Sequence, residues 1–302
     1  MPTVPHPDHP GREVTVRDFP MPPRLVEPSR AWLHTDPAAR PEPPPPRRAS
    51  TVMVLRDAPA GGVEVFLQTR ASTMAFAPDM MVFPGGAVDP RDTGAAEVWA
   101  GPSPREWVAR MPGTDEELVE LFVLAAAREV FEETGVLLAV HADGTPVAEA
   151  EVDAPALVAG RAAVEARERS FTDLLAEHDL RVDTACLSVR DHWTTPECEP
   201  KRYDTWFFAA RIPSGQEADA DTSEAVHAGW ERPADLVQRA LATPGLMLPP
   251  TLANLEELSA VGSVDEALTD RGVVPEVMPW PAEVPVSEEF PDGLSMRTPW
   301  ER

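Results

Sequence analysis

The stretch "AAAREVFEETGVLL", residues 125–138, decides how this chain is read. Arg128, Glu129, Glu132 and Glu133 fall within six positions, Gly135 follows, and a run of aliphatic residues comes next. On an α-helix, residues three and four apart share a face, so Glu129 stands beside both Glu132 and Glu133. Like charges at that spacing cost about 0.2–0.5 kcal/mol per pair unless a cation sits among them. Clustered carboxylate oxygens are what Mg²⁺ or Mn²⁺ accepts. A solvated acidic face is the other reading, in keeping with 51 acidic residues against 26 basic ones. Spacing alone leaves both open.

Working outward, "TDEELVELFVLAAAREVFEETG" (114–135) reads as one long helix. Thr114 and Glu117 suggest a capping box at its start, Leu118, Leu121, Phe122 and Ala125 an apolar stripe, and Gly135 the C-terminal stop. "VLLAV" (136–140) then reads as a buried strand. Upstream, "TVMVL" (51–55) and "VEVFLQT" (63–69) flank the turn "RDAPAGG" and predict a hairpin. "MVFPGG" (81–86) predicts a third short strand, and Ser103-Pro104 a short helix to about Arg110. Downstream, 156–180 reads as helical and "DTWFFAARI" (204–212) and "HAGWE" (227–231) as strands. "PADLVQRAL" (233–241) and "LPPTLANLEELSA" (248–260) read as further helices. Interleaved strands and helices imply a sandwiched mixed sheet of α/β or α+β type.

The 36 prolines cluster at both ends. Residues 1–49, closing with "RPEPPPPRR", are expected to be an extended or disordered extension. Residues 50–272 form the catalytic domain in this reading, with an insert at about 93–120. Residues 273–302 form a Pro-rich tail, which Trp280 and Phe290 strap across a surface. The formal net charge of −25 argues against nucleic acid held through the overall field. No apolar run approaches a membrane span. Cys186 and Cys198 have no ligand-like companions, which points to a reducing, cytoplasmic setting.

The segment "REVFEETGV" (128–136) resembles the second half of the Nudix signature at Arg128, Glu129, Val130, Glu132, Glu133, Gly135 and Val136. That resemblance implies a Nudix-type α/β/α sandwich. The first half departs from the signature. Counting from Gly86 places Asp92 where the family carries Glu, and 35 residues separate Asp92 from Arg128 where the family has seven. The chain is similar to a long-insert branch that includes a mammalian peroxisomal coenzyme A diphosphatase, through "MAFAPDMMVFPGGAVDPRD" (74–92), "HWTTPECEPKRYDTWFF" (192–208) and "LPPTLANLEEL" (248–258).

The resemblance implies a Mg²⁺- or Mn²⁺-dependent hydrolase acting on a nucleoside diphosphate derivative, with coenzyme A or acyl-coenzyme A first in order. ADP-ribose or a dinucleotide is the alternative substrate, and a non-catalytic nucleotide-binding regulator the alternative class. It implies Glu129, Glu132 and Glu133 as metal ligands, with Asp92 a further one, and one of Glu129 and Glu133 as base. Arg128 is expected to orient the carboxylates, Gly85 and Gly86 to bend the backbone beside them, and Arg70 to grip phosphate. Glu224, before the "HAGWE" strand, is a candidate extra base or ligand. Asp89 is a weaker acidic candidate, Arg202 and Asp204 are expected to pair, and Trp193 and Trp230 to lie in the core. The insert is expected either to cover the site or to form a subunit contact, as in a homodimer.

Overall fold

The computed structural model describes residues 1–7, 9–70, 79–219 and 225–300. Its centre is an eight-stranded mixed sheet. The main path runs Ala225–Glu231, Val63–Arg70, Arg47–Asp57, Tyr203–Arg211, Leu187–Thr194 and Glu276–Val277. The first two pairings are antiparallel, Arg47–Asp57 lies parallel to Tyr203–Arg211, and the last two pairings are antiparallel and parallel. The short strands Met81–Val82 and Gly85–Ala87 join Val63–Arg70 and Arg47–Asp57.

Alternation along Arg47–Asp57 sends successive side chains to opposite faces. Val52 and Val54 join Trp206 and Phe208 beneath the long helix Glu116–Thr134, where Val119, Phe122, Val123 and Ala126 meet them. Met53, Leu55 and Phe207 face the other way, onto Leu236 of the helix Pro233–Ala242 and Leu252 and Leu255 of the helix Pro249–Leu258. The result is helix, sheet, helix. Behind the long helix stands a third small layer, in which Leu124, Ala127 and Phe131 pack on Phe171, Leu174 and Val182.

Several expectations are corrected. The long helix is capped by Asp115, whose carboxylate accepts from the Leu118 N–H, and not by Thr114; the Thr114 hydroxyl donates to the Met111 carbonyl instead. The 136–140 strand shrinks to Ala139–His141, because Val136–Leu138 is buried as connecting chain and Leu137 is bonded to Gln216. The 156–180 segment divides into helices Pro155–Glu165 and Phe171–Glu177, with Arg167 at positive φ between them.

The N-terminal segment, expected to be extended or disordered up to residue 49, gives the strands Thr3–His6 and His9–Pro20 to a second sheet. The strand His9–Pro20 buries Val14, Val16 and Phe19 and pairs antiparallel with Leu294–Pro299, and the helix Pro23–His34 follows it. Asp18 accepts both Nε and Nη2 of Arg297, at 2.9 and 3.0 Å. In the C-terminal tail Trp280–Glu283 pairs with Leu294–Pro299, and Trp280 packs on His6. Among the described residues no helix is long and apolar enough to cross a membrane.

Candidate active site

The long helix has two buried sides, one toward the central sheet and one toward the small third layer. Arg128, Glu129, Glu132 and Glu133 occupy the face left over in its last two turns. Gly135 ends the helix at φ 72°, a left-handed conformation that glycine adopts without a Cβ penalty, and its N–H donates to the Phe131 carbonyl. The hydroxyl of Ser50, in the central strand, donates to the Phe122 carbonyl at 2.7 Å and ties helix to sheet.

Arg128 is the hub. Its Nε and Nη2 donate to the two oxygens of Asp92 at 2.7 and 2.9 Å, and Nη1 donates to Glu129 at 2.7 Å and reaches Glu132 at 3.3 Å. Nη2 also donates to the Ala87 carbonyl. Asp92 is 2 % exposed, and its Oδ2 also accepts from the Asp89 N–H. Asp92, expected among the metal ligands, has both oxygens accepting from Arg128 here, and it orients that guanidinium. The excursion between them includes the helices Ala95–Val98 and Pro104–Val108 and returns the chain to the same spot. Asp89 is held by Arg91, whose Nε and Nη2 donate at 3.0 and 2.8 Å.

The two glycines are required by close approach. A Cβ on Gly86 would lie 2.6 Å from both oxygens of Glu129, and one on Gly85 would lie 2.5 Å from the Ser50 carbonyl oxygen. The Gly85 N–H donates to Glu133 Oε2 at 3.0 Å, and Gln68 Nε2 donates to the same oxygen at 2.6 Å. Burial pushes the Glu129 carboxyl up to about 7, against the pull of Arg128 and with the neighbouring Glu132 charge adding to the rise. Burial also raises Glu132.

Gly85, Gly86, Arg128, Glu129, Glu132 and Glu133 line a cleft of about 1040 Å³. Its floor on the sheet side includes Trp193, Tyr203 and Phe207, and Leu25 and Met296 bring both terminal segments to its wall. Arg70 lies two residues beyond Gln68 on the strand Val63–Arg70, hence on the same side of it as the Glu133 contact. Arg70 lines the cleft, and its buried Nε has no hydrogen-bond partner among the described residues. Glu224 lies outside the described residues. Trp193 is buried as expected but also lines the cleft, while Trp230 packs on Phe66 with Arg56 over its ring.

Glu129, Glu132 and Glu133 share one wall but are turned toward different partners. Among the described residues no three such side chains converge on one point. In kind, the donor set fits a divalent cation. These are hard oxygen donors, partly desolvated, and burial raises Glu129 in spite of Arg128.

Gln68 is the site residue that sequence reasoning missed; the signal was present in Gln68-x-Arg70, a period-two pair at a strand end. The expected Arg202–Asp204 pair does not form. Arg202 lies before its strand and donates to the carbonyls of Thr195 and Pro44, while Asp204 meets His192 on the neighbouring strand at 2.5 Å.

The chain is similar to known Nudix proteins. A family model described as the NUDT19 Nudix domain matches residues 115–258. The human protein named acyl-coenzyme A diphosphatase NUDT19 is 27 % identical over 241 residues, covering 70 % of this chain and 64 % of that protein. A Caenorhabditis elegans protein named putative nudix hydrolase 7 is 28 % identical over 204 residues, covering 67 % of this chain and 57 % of that protein. The chain thus spans less than two thirds of the length of either relative. A crystal structure of a Nudix hydrolase from Alicyclobacillus acidocaldarius superposes with a TM-score of 0.60 at 28 % identity, covering 76 % of this chain and 99 % of that one.

Proposed function

The chain belongs to the Nudix family, and on that premise we propose that it hydrolyses the diphosphate linkage of coenzyme A or acyl-coenzyme A with the help of Mg²⁺ or Mn²⁺. The observation that carries the reading is the joint placement of Glu129, Glu132 and Glu133 on one wall of a cleft, with Gly86 packed against Glu129 and Arg70 nearby. The human relative's name supports the choice of substrate.

In this reading Glu129, Glu132 and Glu133 hold the cation. When bound, it supplies charge neutralisation at the diphosphate and makes water more acidic. Arg128, fixed by Asp92, keeps Glu129 and Glu132 in place. The Gly85 N–H and Gln68 fix one oxygen of Glu133. Arg70 grips the diphosphate, since a guanidinium matches phosphate oxygens bidentately. Water adds to one phosphorus, its proton passes to Glu129 or Glu133, and the anhydride P–O bond breaks with its electron pair leaving on the departing phosphate. The products are adenosine 3′,5′-bisphosphate and a phosphopantetheine. The free thiols Cys186 and Cys198 suit a reducing compartment such as the cytoplasm.

The test is a substrate panel with Mg²⁺ and with Mn²⁺. Coenzyme A species are expected to turn over faster than ADP-ribose at equal concentration, and Glu132→Gln is expected to lose at least about a hundredfold in kcat, about 2.7 kcal/mol of barrier. Equal or faster turnover of ADP-ribose would replace the substrate assignment. Absence of any turnover, with intact nucleotide binding, would make the chain a binding protein.

A further inference from the structure

Glu132 and Glu133 stand in the last turn of the helix Glu116–Thr134, where the helix dipole is already negative, and no basic residue lies in that turn. A helix end also leaves its last carbonyls without partners along the helix. Two of them are met here by other segments. The Thr134 carbonyl accepts from the Asp219 N–H at 2.7 Å. The Glu132 carbonyl is met from the side of the small third layer. Arg161, on the helix Pro155–Glu165, donates to it with Nε at 3.1 Å and with Nη2 at 3.0 Å. That helix is itself packed into the third layer through Leu157 and Val164.

Two donors from one edge of the guanidinium converge on one oxygen, which fixes that carbonyl against the third layer. The remaining nitrogen, Nη1, lies 3.6 Å from Asp219 Oδ2. Gly135 makes the room: a Cβ there would stand 2.9 Å from Arg161 Nη1. The glycine that stops the helix thus also admits the guanidinium. The carbonyl held in this way belongs to the peptide that joins Glu132 to Glu133. A peptide unit is planar from one Cα to the next, so holding its oxygen constrains the Cα atoms of both residues. Arg161 does not itself line the cleft, whereas both glutamates do.

We infer that Arg161 is a positioning residue for the cation site: acting through the Glu132–Glu133 peptide, it sets two of the three wall carboxylates for a divalent cation. The inference rests on the diphosphatase reading, and it gives the third layer a task at the site. Position and charge act here with opposite signs. A positive charge near a cation site repels the cation, so loss of the Arg161 charge alone would tighten Mn²⁺ binding or leave it unchanged. Loss of position weakens it.

Calorimetric titration of Mn²⁺ into the wild-type chain and its variants, without substrate, reads that sign. Arg161→Met keeps an aliphatic stem and no donor. Its Mn²⁺ dissociation constant is expected to rise by roughly tenfold to a hundredfold, the range seen when a group that orients a ligand is removed. Arg161→Lys restores a donor and the charge without the fork, and is expected to recover part of that loss. Leu157→Ala, at a buried position on the same helix, is expected to lower the urea midpoint and leave Mn²⁺ affinity unchanged. Equal or tighter Mn²⁺ binding by Arg161→Met overturns the inference, and so does a loss in Leu157→Ala as large as that in Arg161→Met. If Arg161→Met does not fold, Arg161→Gln takes its place with the same expected and overturning results. A wild-type chain that binds Mn²⁺ and cleaves no coenzyme A species refutes the diphosphatase reading, and the Mn²⁺ affinities still decide the role of Arg161. A wild-type chain that binds no Mn²⁺ removes the cation site, and the inference falls with it.

Discussion

The guanidinium of Arg128 closes on both oxygens of Asp92, at 2.7 and 2.9 Å, across 36 positions of sequence. This bond joins the two halves of a motif that the chain has split. It also explains how an insertion can lie inside the motif without dispersing the site. The inserted residues leave and return, and a buried bidentate ion pair holds their ends to one place.

Asp92→Asn tests the pair. Removing one partner of a buried ion pair leaves the other charge uncompensated, so the variant is expected to be less stable by about 3 kcal/mol in urea unfolding. Its kcat is expected to fall tenfold to a hundredfold, in the range seen when a group that orients a ligand is removed. A ligand role for Asp92 instead predicts weaker Mn²⁺ binding with metal-free stability unchanged, and that outcome would refute the positioning role.

Gly86→Ala tests the close approach to Glu129. The added Cβ would stand 2.6 Å from both carboxylate oxygens, so the side chain must move. A displacement of about 1 Å at a reacting centre costs about a hundredfold in rate, and overpacking at a buried position costs about 1–3 kcal/mol. Activity within twofold of wild type would show that Glu129 has room the geometry denies it.

Asp89 provides a pH signature. Its hydrogen bond from Arg91 holds the carboxyl at about 2, below the ordinary 3.8. A carboxyl depressed in the folded state stabilises the fold above its unfolded value, and that contribution is lost as pH falls through the folded value. Asp89→Asn should therefore be less stable than wild type at pH 6. The difference should shrink between pH 4 and pH 2, as read by urea midpoints across that range. A difference that stays constant down to pH 2 would mean that the carboxylate charge is irrelevant there.

The strand Leu187–Thr194 shows where sequence reading loses the fold. All eight of its residues are buried, yet Arg190, Asp191 and His192 give it no apolar periodicity. Those polar groups are satisfied by distant partners: Arg190 donates to the Ala267 carbonyl, Asp191 accepts from Trp193 and Asn254, and His192 meets Asp204. The N-terminal sheet was hidden for a related reason. Its strand His9–Pro20 buries Val14, Val16 and Phe19, but the strand that covers it, Leu294–Pro299, lies at the other end of the chain.

By itself, the sequence determined the long helix, its stop at Gly135, the hairpin before it and the cluster of carboxylates on one helical face. Those features depend on local spacing, on 3.6- and 2-residue periods and on where a chain can turn. Only the tertiary structure decided that Asp92 serves Arg128, that Gln68 fixes Glu133 and that the two ends of the chain wall the cleft. Each of these is a choice of partner between segments far apart in sequence. Such choices follow from burial, which makes an unpaired charge or an unfilled hydrogen bond costly and leaves few arrangements that satisfy all of them at once.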